Sequence, residues 1–250
     1  MTVIGDIVLA VDRRRWIRAL SAELRRLRGD ALPWMFLLLT VLPAVSLAAS
    51  LPAEVREAPS PVRRALLDAV ASSAVGGLLL FAALLGALAV ALAARTGVLA
   101  RELVCGSALY VFVARGFSGV LASTLFGVVG VALLGAVSFG VSGEVLMEPG
   151  ISVRSVGAVI GAGFWGYLIG VIVRSPILVL FVVPLSLVPG ELFAGAPPRV
   201  TEFLPHPVLL SLAGVSSGGL DGPGTAALLA AWFLGLGVLA VLVVRHRDRL

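Results

Sequence analysis

The sequence predicts an all-α, polytopic integral membrane protein with six transmembrane helices, and three observations predict it. Hydrophobic residues make up 59% of the chain and charged residues only 13%, against about 25% charged in an ordinary soluble domain. Mean hydropathy is +1.08, more apolar surface than a soluble core of this length could hide. The apolar residues also fall into uncharged runs of roughly 20, the length that crosses a bilayer.

Residues 1–30 are polar and basic. They read as a cytoplasmic N-terminus, not a secretory signal, whose apolar core would follow a much shorter basic region. On a helical wheel from Arg14 to Arg28, Trp16, Ile17, Leu20, Leu24 and Leu27 share one arc and Arg18, Arg25 and the neighbouring arginines fall opposite. Such a helix lies along the membrane surface with its arginines toward lipid phosphates.

Six spans follow, at about 32–52, 69–94, 116–142, 155–173, 175–190 and 223–244. Pro33 sits at the mouth of the first, and Pro43 predicts a kink inside it. Arg174 alone separates the fourth span from the fifth, so these two read as a tight helical hairpin. Between the fifth and sixth spans, Glu191 to Asp221 is rich in proline and glycine, and Pro205 and Pro207 bracket His206. That spacing argues against a seventh continuous helix and for short re-entrant helices dipping into the outer leaflet.

Orientation follows from the 19 arginines, the only basic residues apart from two histidines. With the N-terminus inside, the inner segments hold 14 arginines and the outer segments 5. The positive-inside rule therefore places both termini in the cytoplasm, and a seventh span would throw Arg245, Arg247 and Arg249 outside. The net charge of +5 belongs to this orientation and not to nucleic-acid binding, because the arginines cluster between apolar runs. The absence of Lys, Asn and Gln suits a GC-rich bacterial genome, and the location expected is the bacterial cell membrane.

Little in the sequence supports catalysis. Cys105 is the single cysteine, and two histidines do not supply a metal site. Gly161-Ala-Gly163-Phe-Trp-Gly166 matches the G-x-G-x-x-G fingerprint but lies within the fourth span, without the strand that a dinucleotide site requires. The pairs Gly157/Gly161 and Gly166/Gly170 instead have the small-xxx-small spacing that lets membrane helices approach closely. Ionisable residues near the membrane are candidates by default because burying them is costly. Glu191 at the outer end of the fifth span and His206 mark a possible exit region for a cargo, and Arg174 lies at the inner turn. A pathway between such apolar spans suits a lipophilic or amphipathic cargo.

The inner loop from Arg95 to Arg115 is the longest on that side. Gly97 permits a turn out of the second span, and Leu99, Leu103 and Val104 beside Arg101 and Glu102 describe a short amphipathic helix. Together with the basic pattern from Arg18 through Glu23 to Arg28, the Arg174-Ser-Pro176 turn and the Phe203-Leu-Pro205 region, this loop resembles that of the permease subunits of type-2 ABC exporters. The resemblance covers the whole chain in topology. It implies a connecting helix at the N-terminus and a coupling helix near Gly97 to Cys105, with Arg101 and Glu102 as polar docking contacts. It also implies two copies of a separate ABC ATPase subunit and a second permease half, identical or related. Where family members often carry a Thr-Pro or Ser-Pro pair, this chain has Cys105-Gly106-Ser107-Ala108. The chain has no lysine and hence no phosphate-binding G-x-x-x-x-G-K-[ST] loop, so ATP and Mg2+ belong to the partner and no cofactor is expected on this chain. The cargo classes compatible with this reading are a drug, an antimicrobial peptide or other natural product, and a lipid. Two other readings stand beside it: an intramembrane enzyme acting on lipid or peptide, and a non-catalytic membrane anchor or assembly factor.

Overall fold

The structure is a computed structural model that describes residues 17–18, 20–51, 55, 57–99, 101, 108–143, 149–187, 203–215 and 222–247. Among the described residues the regular elements are all helical and there is no strand. The helices are α1 (residues 20–29), α2 (Ala31–Leu39), α3 (Val41–Ser50), α4 (Ser60–Arg95), α5 (Ala108–Ser142), α6 (Pro149–Val173), α7 (Pro176–Ser186), α8 (Pro205–Ala213) and α9 (Gly222–Arg247).

Among the described residues, five segments are long and apolar enough to cross a membrane: Ala31–Ser50, Ser60–Arg95, Val111–Ser142, Gly150–Val173 and Pro223–Val244. The chain is therefore a multi-pass helical membrane protein. The segment expected as a fifth span over 175–190 differs: α7 has 11 residues, about 16 Å at 1.5 Å per residue, against a hydrocarbon core of about 30 Å. The continuation over 188–202 lies outside the described residues.

The second and third spans are longer than the hydropathy minimum suggests. α4 runs 36 residues, about 54 Å, so its polar first turns with Arg63, Arg64 and Asp68 project beyond the apolar layer. Pro61 occupies an early position where its missing N–H costs nothing. The first span is broken. Pro43 cannot donate to the Leu39 carbonyl, and the helix resolves the conflict one turn earlier, at Thr40, whose hydroxyl donates to Leu37 O at 2.7 Å.

α4 and α6 share the largest interface, and α6 also packs against α5, α8 and α9. Glycine makes the α4–α6 contact possible. A Cβ on Gly166 would run into the Ala83 backbone, one on Gly170 would lie 2.5 Å from Ala87 O, and one on Gly86 would run into the Gly163 carbonyl. The G-x-G-x-x-G match is thus a packing face. Of the two small-residue pairs expected, Gly166/Gly170 makes the close approach. Gly157 faces open space and Gly161 lies against Leu209 and Phe233, so the pairing of Gly157 with Gly161 is corrected.

The α6–α7 hairpin turns in two residues, as the spacing predicts. Arg174 adopts φ 55°, in the left-handed region, and Ser175 caps α7 by accepting the Leu178 N–H ahead of Pro176. α7 then packs mainly on α4, and Trp165 Nε1 donates to Ser186 Oγ at 3.1 Å. α8 starts at Pro205 and runs only nine residues, a short helix as the two prolines predict. It lies against α6, α9 and α4, with Leu209 and Ala213 fully buried. Ser211 and Thr225 hydroxyls meet at 3.3 Å, and Trp232 Nε1 donates to Phe203 O at 3.0 Å.

Candidate functional site at the arginine-rich end

The bundle has two chemically different ends. At one, α1 and the start of α2 meet the end of α4, the start of α5, the end of α6 and the start of α7. This end holds Arg26, Arg28, Arg95, Arg115 and Arg174. Val244, near the end of α9, lies beside Leu99, Arg115 and Arg174, so α1 and the end of α9 share this end of the molecule. At the other end α8 meets α4, where His206 Nε2 lies 3.3 Å from the position a Cβ on Gly76 would take. Arg95 lies 19 positions after Gly76 on one helix, about 28 Å, or one hydrocarbon thickness.

Within the arginine-rich end lies a buried polar cluster. Glu23 comes from α1, Arg115 and Ser118 from α5, and Tyr167 from α6. Arg115 Nε is 3.6 Å from Glu23 Oε1, and Arg26 Nη1 is 3.7 Å from the same oxygen. Ser118 Oγ contacts Glu23 Oε2 at 3.4 Å and donates to Arg115 O at 2.9 Å. The Tyr167 hydroxyl donates to Phe112 O, and Gly116 lets the tyrosine ring pass close to α5. Arg115 is only 5% exposed and Glu23 8%. Each charge therefore needs the other, because an isolated charge in an apolar surround costs far more than a paired one. The cluster adjoins Leu85, Gly86, Ala89 and Val90 of α4, about one and a half to three turns before Arg95, around a small cavity of about 40 Å³.

This cluster was only partly legible. Glu23 is the one acid among the arginines of residues 13–28 and is expected as part of the basic interfacial helix. In α1 its side chain turns inward, as the carboxylate that holds α1 to α5. Arg115 was expected to end an inner loop before a span beginning at 116. The helix already runs from Ala108, so Arg115 lies inside it and is the ionisable residue buried in a span that the sequence reading missed. The signal was available, since seven uncharged residues, Ala108 to Ala114, precede it.

The other expected site residues fall as follows. Arg18 and Arg25 are exposed, Leu24 is exposed, and Leu20 and Leu27 are half-buried. Ile17 and Leu24 present apolar surface outward, as an interfacial helix requires. Trp16 lies outside the described residues. Gly97 adopts φ 71° with open space around it, so it makes the left-handed turn that ends α4. Thr96 closes that end through backbone and side-chain bonds to Leu92 O. A helical turn resumes, with Arg101 N donating to Gly97 O at 3.1 Å. Leu99 is half-buried against the bundle and Arg101 is exposed. Glu102 and Leu103 lie outside the described residues, as does Glu191. His206 is half-buried at the start of α8, at the end of the molecule opposite the ion pair.

No group of three metal-ligating side chains occurs among the described residues. An ion pair clamps α1 to the spanning helix α5, at the same end of the molecule as the turn at Thr96 and Gly97 that closes α4. Comparison with protein-family models, with curated proteins and with solved structures finds no significant match.

Proposed function

We propose that this chain is the permease subunit of an ATP-driven exporter of the type-2 ABC class, exporting a lipophilic or amphipathic cargo while a separate ATPase hydrolyses the nucleotide. The observation that carries the reading is the joint placement, at one end, of α1, the turn at Gly97 with the exposed Arg101 after it, and the end of α9. α4 and α5, the two longest helices, flank that turn. A push on it reaches both at once, and the Glu23–Arg115 pair passes the motion to α1. In this reading six passes of the chain cross a bacterial cell membrane with both termini cytoplasmic. α7 and the segment after it make the fifth pass, and α8 forms part of a re-entrant outer region near His206. Arg101 and Glu102 dock on the ATPase, two copies of which serve this chain and a second permease half.

The low polarity of the spans supports an apolar or amphipathic cargo. Purification of the tagged chain from its native membrane in mild detergent tests the assignment. Recovery of a nucleotide-binding ATPase, lost on Arg101→Glu, is the expected result. Recovery of the chain without any ATPase contradicts it.

A further inference from the structure

At the arginine-rich end, the close of α4 and the α6–α7 turn face each other across an open cleft of about 460 Å³, lined by Arg95, Leu99, Arg174, Ser175 and Ile177 among others. Its size falls within the range of small-molecule sites, about 300–1,000 Å³. Two guanidinium groups from different elements open onto it, and guanidinium is the side chain suited to a phosphodiester because its planar donors match two phosphate oxygens. Ser175 already accepts the Leu178 N–H at 3.5 Å, so the arginines, not the helix terminus, supply the attraction.

An apolar track leads away from the cleft along α7. Ile177 (63% exposed), Phe181 (70%) and Leu185 (70%) recur every four residues on one face, while Val179 and Val183 on the opposite face are fully buried against the bundle. The basic cleft lies at the start of α7 and the track runs from it along that helix. An occupant that satisfies both needs an anionic head joined to long apolar chains. A soluble anion would leave the track unused, and an acidic peptide would set polar backbone against it.

We infer that Arg95 and Arg174 bind the phosphate of an anionic glycerophospholipid whose acyl chains lie along Ile177, Phe181 and Leu185. The site is independent of the exporter reading and holds for any multi-pass protein with this geometry. Basic clefts between helices at the membrane surface recruit anionic lipids in this way, with about a fivefold gain in affinity for each arginine.

Full-length protein reconstituted in nanodiscs of equimolar phosphatidylglycerol and phosphatidylcholine, then released into mild detergent, reports the retained lipid by native mass spectrometry. Wild type should keep phosphatidylglycerol in preference to phosphatidylcholine. Arg95→Gln and Arg174→Gln should each reduce that preference about fivefold, and together about thirtyfold. Arg64→Gln with Arg154→Gln, at the opposite end, should leave it unchanged. Phe181→Ser with Leu185→Ser keeps both arginines and should lower total retention with the head-group preference intact, which guards against a double arginine variant that fails to fold. Equal retention of the two lipids by wild type, or an unchanged preference in the double arginine variant, overturns the site. Displacement of the lipid by inorganic phosphate assigns the cleft to a soluble anion and also overturns it.

Discussion

Glu23 sits between two guanidinium groups, at 3.6 Å from Arg115 and 3.7 Å from Arg26. These separations are ion-pair distances, longer than a charge-assisted hydrogen bond of about 2.7–2.9 Å, so the attraction is chiefly Coulombic in a largely buried surround. The two ends of the pair are not equivalent. Arg26 is partly exposed and stays beside the carboxylate if Arg115 is lost, whereas Arg115 is almost fully buried and loses this carboxylate if Glu23 is neutralised. Glu23→Gln should therefore destabilise the protein by about 3 kcal/mol, and Arg115→Gln by less, in chemical denaturation in detergent micelles. Equal or reversed costs would show that the carboxylate is not what Arg115 depends on. At this scale the sequence was a poor guide. Charge pattern distinguishes a basic arc from an apolar one, but it cannot say that one acid on a surface helix meets an arginine 92 positions later.

Elements were more legible, because periodicity and run length are local. The amphipathic arc around Leu20, Leu24 and Leu27, the break forced by Pro43 and the hairpin at Arg174 can all be read from neighbours in the chain. The errors are of extent and partner. α5 begins at Ala108 instead of 116 because Arg115 finds Glu23 and so can be carried inside a helix. Gly166/Gly170 faces α4 while Gly157 faces open space, since spacing gives a stripe but not the helix that meets it. The distinction can be measured. Gly166→Ala forces a methyl into the Ala83 backbone and should lower stability by about 1–3 kcal/mol. Gly135→Ala meets open space and should be neutral or stabilising by up to about 1 kcal/mol from helix propensity. Thermal unfolding in one detergent compares them, and matching shifts would mean that α4 and α6 do not touch through this stripe.

At the scale of the whole molecule, composition alone dictates a membrane protein. The five long helices follow from it, because a chain with 59% hydrophobic residues must satisfy its backbone internally in lipid. The pass assigned to 175–190 is where local reading runs out: α7 covers about half a bilayer. Even so, α7 starts at the arginine-rich end, α8 lies at the other, and α9 ends beside Leu99 and Arg174. Leu99, after the end of α4, and Val244, near the end of α9, are thus neighbours at one end, and the six-pass reading we propose has residues 188–202 complete the fifth crossing. An exporter driven by a cytoplasmic ATPase depends on that arrangement. After replacement of Cys105 by Ser, single cysteines introduced at Arg64, Arg101 and Leu250 can be labelled in intact cells with a membrane-impermeant maleimide. Labelling of position 64 from outside, with positions 101 and 250 reactive only after the membrane is opened, is the predicted result. Labelling of position 250 from outside while 101 remains protected would leave an odd number of crossings and contradict it.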